Sequence, residues 1–484
     1  MVTTSAVEKG LALNEGRPPS CDDGLQPPFD HVAETKLKCK LDVRVLPILW
    51  VLYLVNFLDR ANIGNAKIQG MQEELNLIGQ RFNIAVWVFN LGYLVAGVPS
   101  AVAFKRFGPK SLCVMMFFWG IMVIGCGLVK NWASLVACRL LEGITEAGFI
   151  AGAAYLVGAY YKKDEYLSRY VLFSTAGIVA GAVNGFLSAL IAKMGGTAGY
   201  AAWRWIFIVE GLITCTVSAA SWFIMIPFPE HSTFLKVEEK ELLLARLKAD
   251  GEDVIDEEIS ARRVLHDLKD WKIWVGVAMN MGVTESANSI SNFQPTILKG
   301  LGYTATGAQV HTIPVYLAGA AFSVVFAYLS EFVGRRYIFY LFGWAVLSIG
   351  LTIEIVYPKQ PGVRYLGMFF IACGCYLAMP ISIVWVAINA GKGYKRAVTI
   401  GAIINFGTAG AFVSSNVFLL KETPRFHTGF SVGLSLACIG AMAATIFYSG
   451  CRLGNKRRDE RRATLPGADG GNVGDKHTDF RYSL

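Results

Sequence analysis

Twelve apolar stretches, each near the length needed to cross a bilayer as a helix, dominate this chain of 484 residues. A helix spans the hydrocarbon core with about 20 predominantly apolar residues. The stretches form two groups of six, separated by one long hydrophilic stretch at 229–271. Only 17% of the residues are charged, whereas soluble domains carry about 25%. The sequence therefore predicts an all-α membrane protein built from two six-helix bundles.

The order of these stretches divides the chain into five parts. Residues 1–40 are polar and contain two Pro-Pro pairs, a composition typical of disorder. Since no signal peptide is visible, we expect the first apolar helix to act as an uncleaved anchor. The predicted parts are a disordered cytosolic tail (1–42), an N-terminal bundle (43–227), a cytosolic amphipathic linker (228–272), a C-terminal bundle (273–450) and a basic cytosolic tail (451–484).

Lysines and arginines are concentrated in the loops that twelve spans would place on one side. Basic residues near helix ends favour the cytosolic side, so we predict a multi-pass plasma-membrane protein with both termini in the cytosol. The net charge of +9 then faces an anionic lipid leaflet and requires no nucleic-acid partner. The expected state is a monomer in the lipid bilayer. The basic residues of these loops are Lys105, Arg106, Lys110, Lys162, Lys163, Arg335, Arg336, Lys392, Lys395 and Arg396.

Charged residues also lie inside the apolar stretches of the first group. Asp59 directly precedes Arg60 within the first stretch. A charge at the centre of a membrane helix costs about 2.5–3.5 kcal/mol on insertion scales. The fourth stretch adds Arg139, Glu142 and Glu146, which share one helical face about 10.5 Å long. Such costly residues indicate binding or coupling, with a structural salt bridge between Asp59 and Arg60 as the alternative.

Polar residues interrupt the second group as well. The seventh stretch is unusually polar between Asn280 and Asn292, so we expect a helix broken or thinned around a cavity. Glu285 lies in that stretch and is a possible second titrating group. Ser382 and Asn405 are mid-helix polar residues of later stretches, and helix–helix hydrogen bonding explains them as well as a binding site does.

Two loops repeat one pattern of small, charged and glycine residues. Both copies resemble the loop motif of the major facilitator superfamily, in which a glycine makes a tight turn and charges pair across the bundle. The resemblance implies a major facilitator fold with 12 transmembrane helices. The acidic position is Lys105 in one copy and Glu331 in the other, so we expect different charge contacts in the two halves. The motif residues are Gly97, Lys105, Arg106 and Gly108, then Glu331, Gly334, Arg335 and Arg336.

No pattern for a chemical reaction accompanies these features. The pair Gly391-Lys392 lacks the glycine spacing and the following Ser or Thr of a phosphate-binding loop. Nothing in the sequence resembles a catalytic triad or a metal-binding cluster. We therefore expect neither an enzyme nor an ATP-driven pump, and we expect no cofactor or metal.

Four short sequence motifs narrow the resemblance to one family of the superfamily. They are LDRANIGNA from Leu58, R-x6-EAGF from Arg139, WRWIF-x-x-EG from Trp203 and KRA from Lys395. Together they resemble the anion:cation symporter family of the major facilitators, and within it the fungal allantoate permease group. Members of that group take up small organic acids and vitamins, including allantoate, nicotinate and pantothenate, with protons.

The resemblance implies roles for individual residues and a mechanism. An anion that docks on an arginine would favour protonation of the neighbouring carboxylate, which is the condition for symport. The expected function is therefore a proton-coupled symporter that imports a small organic anion by alternating access. The implied proton-coupling residues are Asp59 and Glu146, and the implied substrate-binding residues are Arg60, Arg139, Asn405 and Ser382.

Three other functions compete with this interpretation. The first is an exporter or facilitator of a secondary metabolite that retains the family's residues. The second is a non-transporting nutrient receptor, which the short tails disfavour. The third is a membrane enzyme, which the lack of a catalytic constellation disfavours. The substrate and the number of protons per substrate stay open.

Overall fold

The computed structural model describes residues 31–78, 81–249, 261–303, 305–358, 360–391, 393–418, 422, 425–464 and 480–484. These residues are almost entirely α-helical, with no strand among them. Residues 1–30 of the predicted first tail, 250–260 of the predicted linker and 465–479 of the predicted last tail lie outside the described residues.

The N-terminal half is built from seven helices that form six spans. The fourth span is interrupted at Ala147–Gly148, where Gly148 lies against Ser100 of the second span. A Cβ atom on Gly148 would come within 2.6 Å of the Ser100 Cβ, so glycine permits this close approach. The helices are α1 (His31–Ala66), α2 (Arg81–Phe107), α3 (Lys110–Leu128), α4 (Trp132–Glu146), α5 (Phe149–Tyr160), α6 (Tyr166–Ala192) and α7 (Ala202–Ile224).

The linker contributes two short helices, and the C-terminal half repeats the six-span arrangement. Its eleventh span is again divided in two, at Thr408. The helices are α8 (Val237–Ala249) and α9 (Ala261–Asp267) in the linker, then α10 (Trp271–Gly300), α11 (Ala305–Val333), α12 (Arg336–Val356), α13 (Pro361–Asn389), α14 (Gly393–Gly407), α15 (Ala409–Val417) and α16 (His427–Thr464).

Eleven spans of the described chain are long and apolar enough to cross a bilayer. The twelfth, α10, is 30 residues long but more polar. It is continuous, so the expectation of a broken seventh helix is wrong. Its polar side chains bond within the helix: Asn288 donates to the Thr284 carbonyl (2.8 Å) and Ser289 to the Glu285 carbonyl (2.9 Å). Since these bonds satisfy the side chains locally, the helix needs no break.

The two halves meet along a seam, defined here as α2 and α6 of the N-terminal half against α14 and α11 of the C-terminal half. Smaller contacts join α5 to α14 and α6 to α13. Within each half, α1 packs on α6, α3 on α7, α10 on α16 and α12 on α13. We call the end of the bundle that carries Lys105, Lys162 and Arg335 the basic end.

The first helix begins earlier than predicted. Residues 31–42 were expected in a disordered tail, but α1 begins at His31. Leu37 and Leu41 are buried in the apolar core, which favours helix over disorder. Lys40 forms a 2.6 Å ion pair with Glu239 of α8, so this extension also ties the linker to the N-terminal half.

The last tail is also partly ordered. α16 continues to Thr464 instead of ending near residue 450. The segment Phe480–Leu484 packs back onto the basic end, where Asn455 of α16 pairs with the backbone of Tyr482. The predicted basic tail over 451–484 is therefore helical as far as Thr464 and packs against the bundle again at Phe480–Leu484.

Candidate functional site

An ion pair joins the first and fourth spans inside the N-terminal half. Arg60 of α1 donates from Nε to Oε1 of Glu146 over 2.8 Å, and its Nη2 lies 2.8 Å from the same oxygen. The Glu146 side chain is fully buried, whereas that of Arg60 is 25% exposed. Glu146 Oε2 has no hydrogen-bond partner among the described residues. The pair therefore keeps one carboxylate oxygen uncommitted and part of the Arg60 side chain accessible.

Three aromatic rings surround the Arg60 guanidinium. Its Cζ atom lies 4.7 Å from the ring centroid of Tyr93, 5.4 Å from that of Phe89 and 5.9 Å from that of Phe57. Phe89 and Tyr93 are four residues apart on α2 and so present neighbouring rings on one face. Such rings attract a cation without neutralising its charge. The guanidinium is thus held in position while it remains able to bind an anion.

Asp59 points away from its sequence neighbour. Its Oδ2 accepts hydrogen bonds from Trp119 Nε1 of α3 (2.9 Å) and Thr214 Oγ1 of α7 (2.7 Å). Consecutive residues on a helix are rotated by about 100°, so Asp59 faces α3 and α7 while Arg60 faces α2 and α4. The alternative of a structural salt bridge between Asp59 and Arg60 therefore does not match this geometry. Asp59 is buried, and its Oδ1 has no hydrogen-bond partner in the described chain.

Arg139 forms a second ion pair within α4. Its Nη1 donates to Glu142 Oε1 over 3.3 Å, and its guanidinium lies 5.3 Å from the ring of Phe207 on α7. Both charged side chains are buried. Of the four charged residues predicted for the site, the structure brings Arg60 and Glu146 together and places Arg139 and Asp59 in separate contacts.

Gly97 and Asn405 meet at the seam. A Cβ atom on Gly97 of α2 would come within 1.9 Å of Asn405 Cγ on α14. One turn further along the same interface, Gly401 lies against Ala101 in the same way. Gly97 is therefore a contact between the halves and not part of the loop turn. Tyr93 precedes Gly97 by one helical turn, so the ring that contacts Arg60 lies beside this contact.

Ser382 takes part in a hydrogen-bonded contact among three helices. Its Oγ lies 3.2 Å from Oδ1 of Asn280 on α10, and Asn280 donates in turn to the carbonyl of Ile403 on α14 over 3.2 Å. Ser382 and Asn280 are both buried. This geometry matches the helix–helix explanation for Ser382, and a substrate contact stays a prediction.

Glu285 is surrounded by hydroxyl groups. It accepts hydrogen bonds from Ser289 Oγ (2.9 Å) and Ser286 Oγ (3.1 Å), and Ser289 is linked to Ser414 Oγ over 2.9 Å. The carboxyl is buried, and it lies against Gly433, where a Cβ would meet its Oε2 at 2.7 Å. Glu285, the one acid of the C-terminal half that was predicted to titrate, thus has neutral hydrogen-bond donors, whereas Glu146 has an arginine.

Comparison with known proteins identifies the family. The family description "Major Facilitator Superfamily" matches residues 49–447. The chain belongs to this superfamily. The solved structure of the proton:xylose symporter XylE has the same fold, with a TM-score of 0.68 at 16% identity, covering 85% of this chain and 96% of that one.

Fungal relatives of this facilitator are more similar in sequence. An uncharacterized transporter of Schizosaccharomyces pombe is 31% identical, covering 94% of this chain and 91% of that protein. The MFS-type transporter cnsO of Penicillium expansum is 32% identical, covering 95% and 92%. The high-affinity nicotinic acid transporter of Saccharomyces cerevisiae is 27% identical, covering 95% and 87%. The protein is thus a membrane transporter and not an enzyme.

The two copies of the facilitator loop motif form tight turns at the basic end. Gly108 and Gly334 have φ angles of +80° and +69°, which favour glycine. Their charge contacts differ, as predicted. Lys105 lies 5.2 Å from the rings of both Tyr155 and Phe228. Arg106 and Arg335 are exposed.

The second copy makes polar contacts across the seam. Glu331 accepts a 2.7 Å hydrogen bond from the backbone N–H of Ser168 and lies 3.9 Å from Arg169 Nη1, both on α6. Arg336 donates to the carbonyl of Lys163, which precedes α6, over 2.6 Å. The acid of this copy therefore ties the C-terminal half to the N-terminal half.

Sequence reasoning missed the residues that position the charged groups. Trp119 and Thr214 hold Asp59, and Tyr93 and Phe89 flank Arg60. One signal was available: Trp119 lies near the middle of α3, away from the interfaces where membrane tryptophans are enriched. A buried indole N–H requires an acceptor, and a nearby carboxylate supplies one.

Proposed function

We propose that this facilitator is a proton-coupled symporter that imports a small organic anion, and that the Arg60–Glu146 pair is its coupling site. The observation that supports the proposal is the asymmetry of that pair. Glu146 is fully buried, while Arg60 is 25% exposed and flanked by aromatic rings. An arriving anion can thus reach the cation without reaching the carboxylate.

The proposed coupling is an exchange of counter-ions. A substrate carboxylate binds Arg60 and takes the place of Glu146 in its 2.8 Å contacts. Glu146 then lacks its cation in a buried position, where a charged carboxylate is costly, and it binds a proton. The site starts with one cation and one anion and ends with the same net charge. Substrate and proton therefore favour each other's binding.

The rings around Arg60 suggest the class of substrate. Tyr93, Phe89 and Phe57 offer flat apolar surfaces beside the cation. A small carboxylate with a planar or apolar body fits both features, because the carboxylate pairs with Arg60 while the body packs on the rings. The 27% identity to a nicotinic acid transporter agrees with this class. The anion:cation symporter family, with its allantoate permease group, is the proposed branch.

We assign Asp59 a second proton-binding role and Arg139 a supporting one. Asp59 is buried with two neutral donors, Trp119 and Thr214, so either protonation state can be accommodated there. Arg139 forms an ion pair with Glu142, which lies between Arg139 and Glu146 along α4. The basic end is proposed to face the cytosol of a plasma membrane, in line with the distribution of Lys and Arg.

Transport in proteoliposomes tests the proposal. Purified protein is reconstituted, an inward proton gradient is imposed, and uptake of labelled nicotinate, allantoate and pantothenate is measured. We expect accumulation of at least one anion that a protonophore abolishes. In Glu146→Gln, gradient-driven accumulation is lost while exchange of labelled for unlabelled substrate at zero gradient persists, because Arg60 still binds the anion.

Two results would contradict the proposal. Accumulation in Glu146→Gln that still depends on pH would remove Glu146 from coupling. Uptake of neutral or cationic solutes in preference to all the carboxylates would show that the substrate is not an anion. Substrate export from right-side-out vesicles, in the direction opposite to proton entry, would favour the alternative of a secondary-metabolite exporter.

A further inference from the structure

The segment Phe480–Leu484 lies in a groove at the basic end. Asn455 of α16 binds the backbone of Tyr482 twice: its Nδ2 donates to the carbonyl (3.0 Å) and its Oδ1 accepts from the N–H (2.9 Å). Asn389 of α13 treats Ser483 in the same way, with its Oδ1 accepting from the N–H (2.8 Å) and its Nδ2 donating to the carbonyl (2.9 Å). Two asparagines thus form hydrogen bonds with four backbone groups of two consecutive residues.

The floor of this groove is polar and fully buried. Trp385 and Asn389 have no exposed surface, and Trp385 Nε1 donates to the Ser483 carbonyl over 2.9 Å. Buried N–H and amide groups must find partners, because an unsatisfied one costs about 1–3 kcal/mol. Residues of α13 therefore depend on the segment for hydrogen bonds that no apolar occupant supplies. This dependence distinguishes the groove from an accidental surface contact.

The segment also reaches the other half of the transporter. The Phe480 ring lies 5.2 Å from Lys163 Nζ, just before α6. Arg336, the first residue of α12, donates to Ser483 Oγ and to the Lys163 carbonyl, and its own N–H donates to the Leu484 carbonyl over 3.2 Å. One arginine of the loop motif is therefore shared between the segment and the opposite half.

We infer that this groove is a peptide-docking site whose occupant is the chain's own Phe480–Leu484, and that the docked segment latches the basic ends of the two halves together. Opening at this end separates α11 and α12 from α6, which breaks the contacts of Arg336 and Phe480 with Lys163. The segment adds to the interface that must be broken. Its release makes opening at the basic end easier and leaves the opposite end unchanged.

Hydrogen–deuterium exchange on the full-length protein in nanodiscs tests the latch. The variants are a deletion of 480–484 and Asn455→Ala, which removes both hydrogen bonds to Tyr482 from a half-buried position on α16. We expect amides in 161–169 and 331–337 to exchange about tenfold faster in Asn455→Ala, since two hydrogen bonds are lost, and faster still in the deletion, which removes every contact of the segment. Lys456→Gln is the matched control, because Lys456 neighbours Asn455 on α16 and pairs with Glu460 at the surface.

Each outcome decides for or against the latch. Faster exchange at the basic end alone, with Lys456→Gln unchanged, supports it. Unchanged exchange in Asn455→Ala and in the deletion overturns it, and so does equal acceleration at both ends of the bundle, which indicates general destabilisation. As a second measurement, a photo-crosslinking amino acid at position 480 should label the peptide that contains Lys163. Arg458 also lies 5.6 Å from the Phe480 ring, so labelling that misses both the Lys163 peptide and the Arg458 peptide contradicts the proposed docking.

Discussion

The two halves share one architecture but fill their interiors differently. The N-terminal half buries ion pairs, Arg60 with Glu146 and Arg139 with Glu142. The C-terminal half also buries an ion pair, Glu354 with Arg364, but the polar contacts of α10 use amides and hydroxyls, as at Asn280 with Ser382 and at Glu285 with Ser289. Removing one partner of a buried ion pair is far more costly than removing one neutral hydrogen bond. A change of charge at Arg60 or Arg139 therefore has a larger effect than the loss of a neutral contact at Asn280 or Ser382.

The basic end shows the opposite distribution of motif contacts. There the C-terminal copy holds the acid, Glu331, which reaches Ser168 and Arg169 of the N-terminal half. The N-terminal copy has Lys105 among aromatic rings. Within one fold, the N-terminal half thus holds the proposed coupling pair, Arg60 and Glu146, and the acid of the C-terminal motif copy contacts the N-terminal half at the basic end.

Removal of Arg60 should have the largest effect. Arg60→Ala leaves Glu146 buried without its cation, and we expect a loss of about 3–5 kcal/mol in stability together with loss of substrate binding. Thermal unfolding in detergent measures the first and isothermal calorimetry the second. The double variant Arg60→Ala with Glu146→Gln should recover most of the stability, because it contains no uncompensated charge. Equal instability of the single and double variants would show that the pair is not the source of the effect.

Substitution at the seam should come next. Gly97→Ala places a methyl group where Asn405 Cγ would be 1.9 Å away, so the halves cannot approach as they do here. We expect transport to fall at least tenfold, with a stability cost of about 1–3 kcal/mol from overpacking. Gly64→Ala is the matched control, since a Cβ there meets nothing within 4 Å. Normal uptake by Gly97→Ala would show that transport does not require the two halves to approach this closely at Gly97.

The two copies of the loop motif can be compared directly, and the expected effects on stability are smaller. Glu331→Gln weakens the contacts to Ser168 and Arg169, which we expect to cost about 1 kcal/mol or more at the basic end. Lys105→Gln removes cation–ring contacts worth about 0.5–1 kcal/mol. Cysteine-accessibility rates at position 168, which is buried at the basic end, should rise more in the first variant. The reverse order would mean that the N-terminal copy provides the stronger tie.

The spans were predictable from the sequence, because a bilayer imposes both length and hydropathy on every helix that crosses it. The partners of the charged residues were not. Asp59 and Arg60 are adjacent in sequence, yet their partners, Trp119 and Glu146, lie on different helices. Which neighbour each side chain meets depends on how α1 is rotated among four other helices, and hydropathy does not specify that rotation.

Local bonding and distant contacts explain the other differences. The polar stretch of α10 remains helical because Asn288 and Ser289 bond to carbonyls one turn earlier, a pattern that composition alone does not distinguish from a break. The docked segment depends on Arg336, Asn389 and Asn455, which are far apart in the chain. Such a groove exists only once the helices have packed.

The smallest expected effect concerns pH at the basic end, where the two halves are again tied differently. Glu165, in the loop before α6, pairs with Lys38 at 2.8 Å and with Arg246 of α8. Burial alone raises the pKa of Glu165, but the hydrogen bond from Lys38 and the nearby charges of Arg246 and Arg169 outweigh it, and the pKa is lowered from 4.5. A carboxyl with a lowered folded pKa stabilises the fold above its unfolded pKa and loses that contribution as the pH falls through its folded pKa.

Acid should therefore loosen the contacts of Glu165 and spare the neutral hydrogen bonds of the docked segment. Below about pH 4.5, we expect the exchange of amides in α8 to accelerate, by an amount equivalent to about 1 kcal/mol or less, because Lys38 is 32% exposed and the buried Arg246 keeps its pair with Glu34. The hydrogen bonds from Asn455 to Tyr482 are neutral, so protection of the docked segment should not change over the same range. Glu165→Gln should abolish the pH dependence in α8. If that variant keeps it, another carboxyl, such as Glu34 beside Arg246, is the titrating partner.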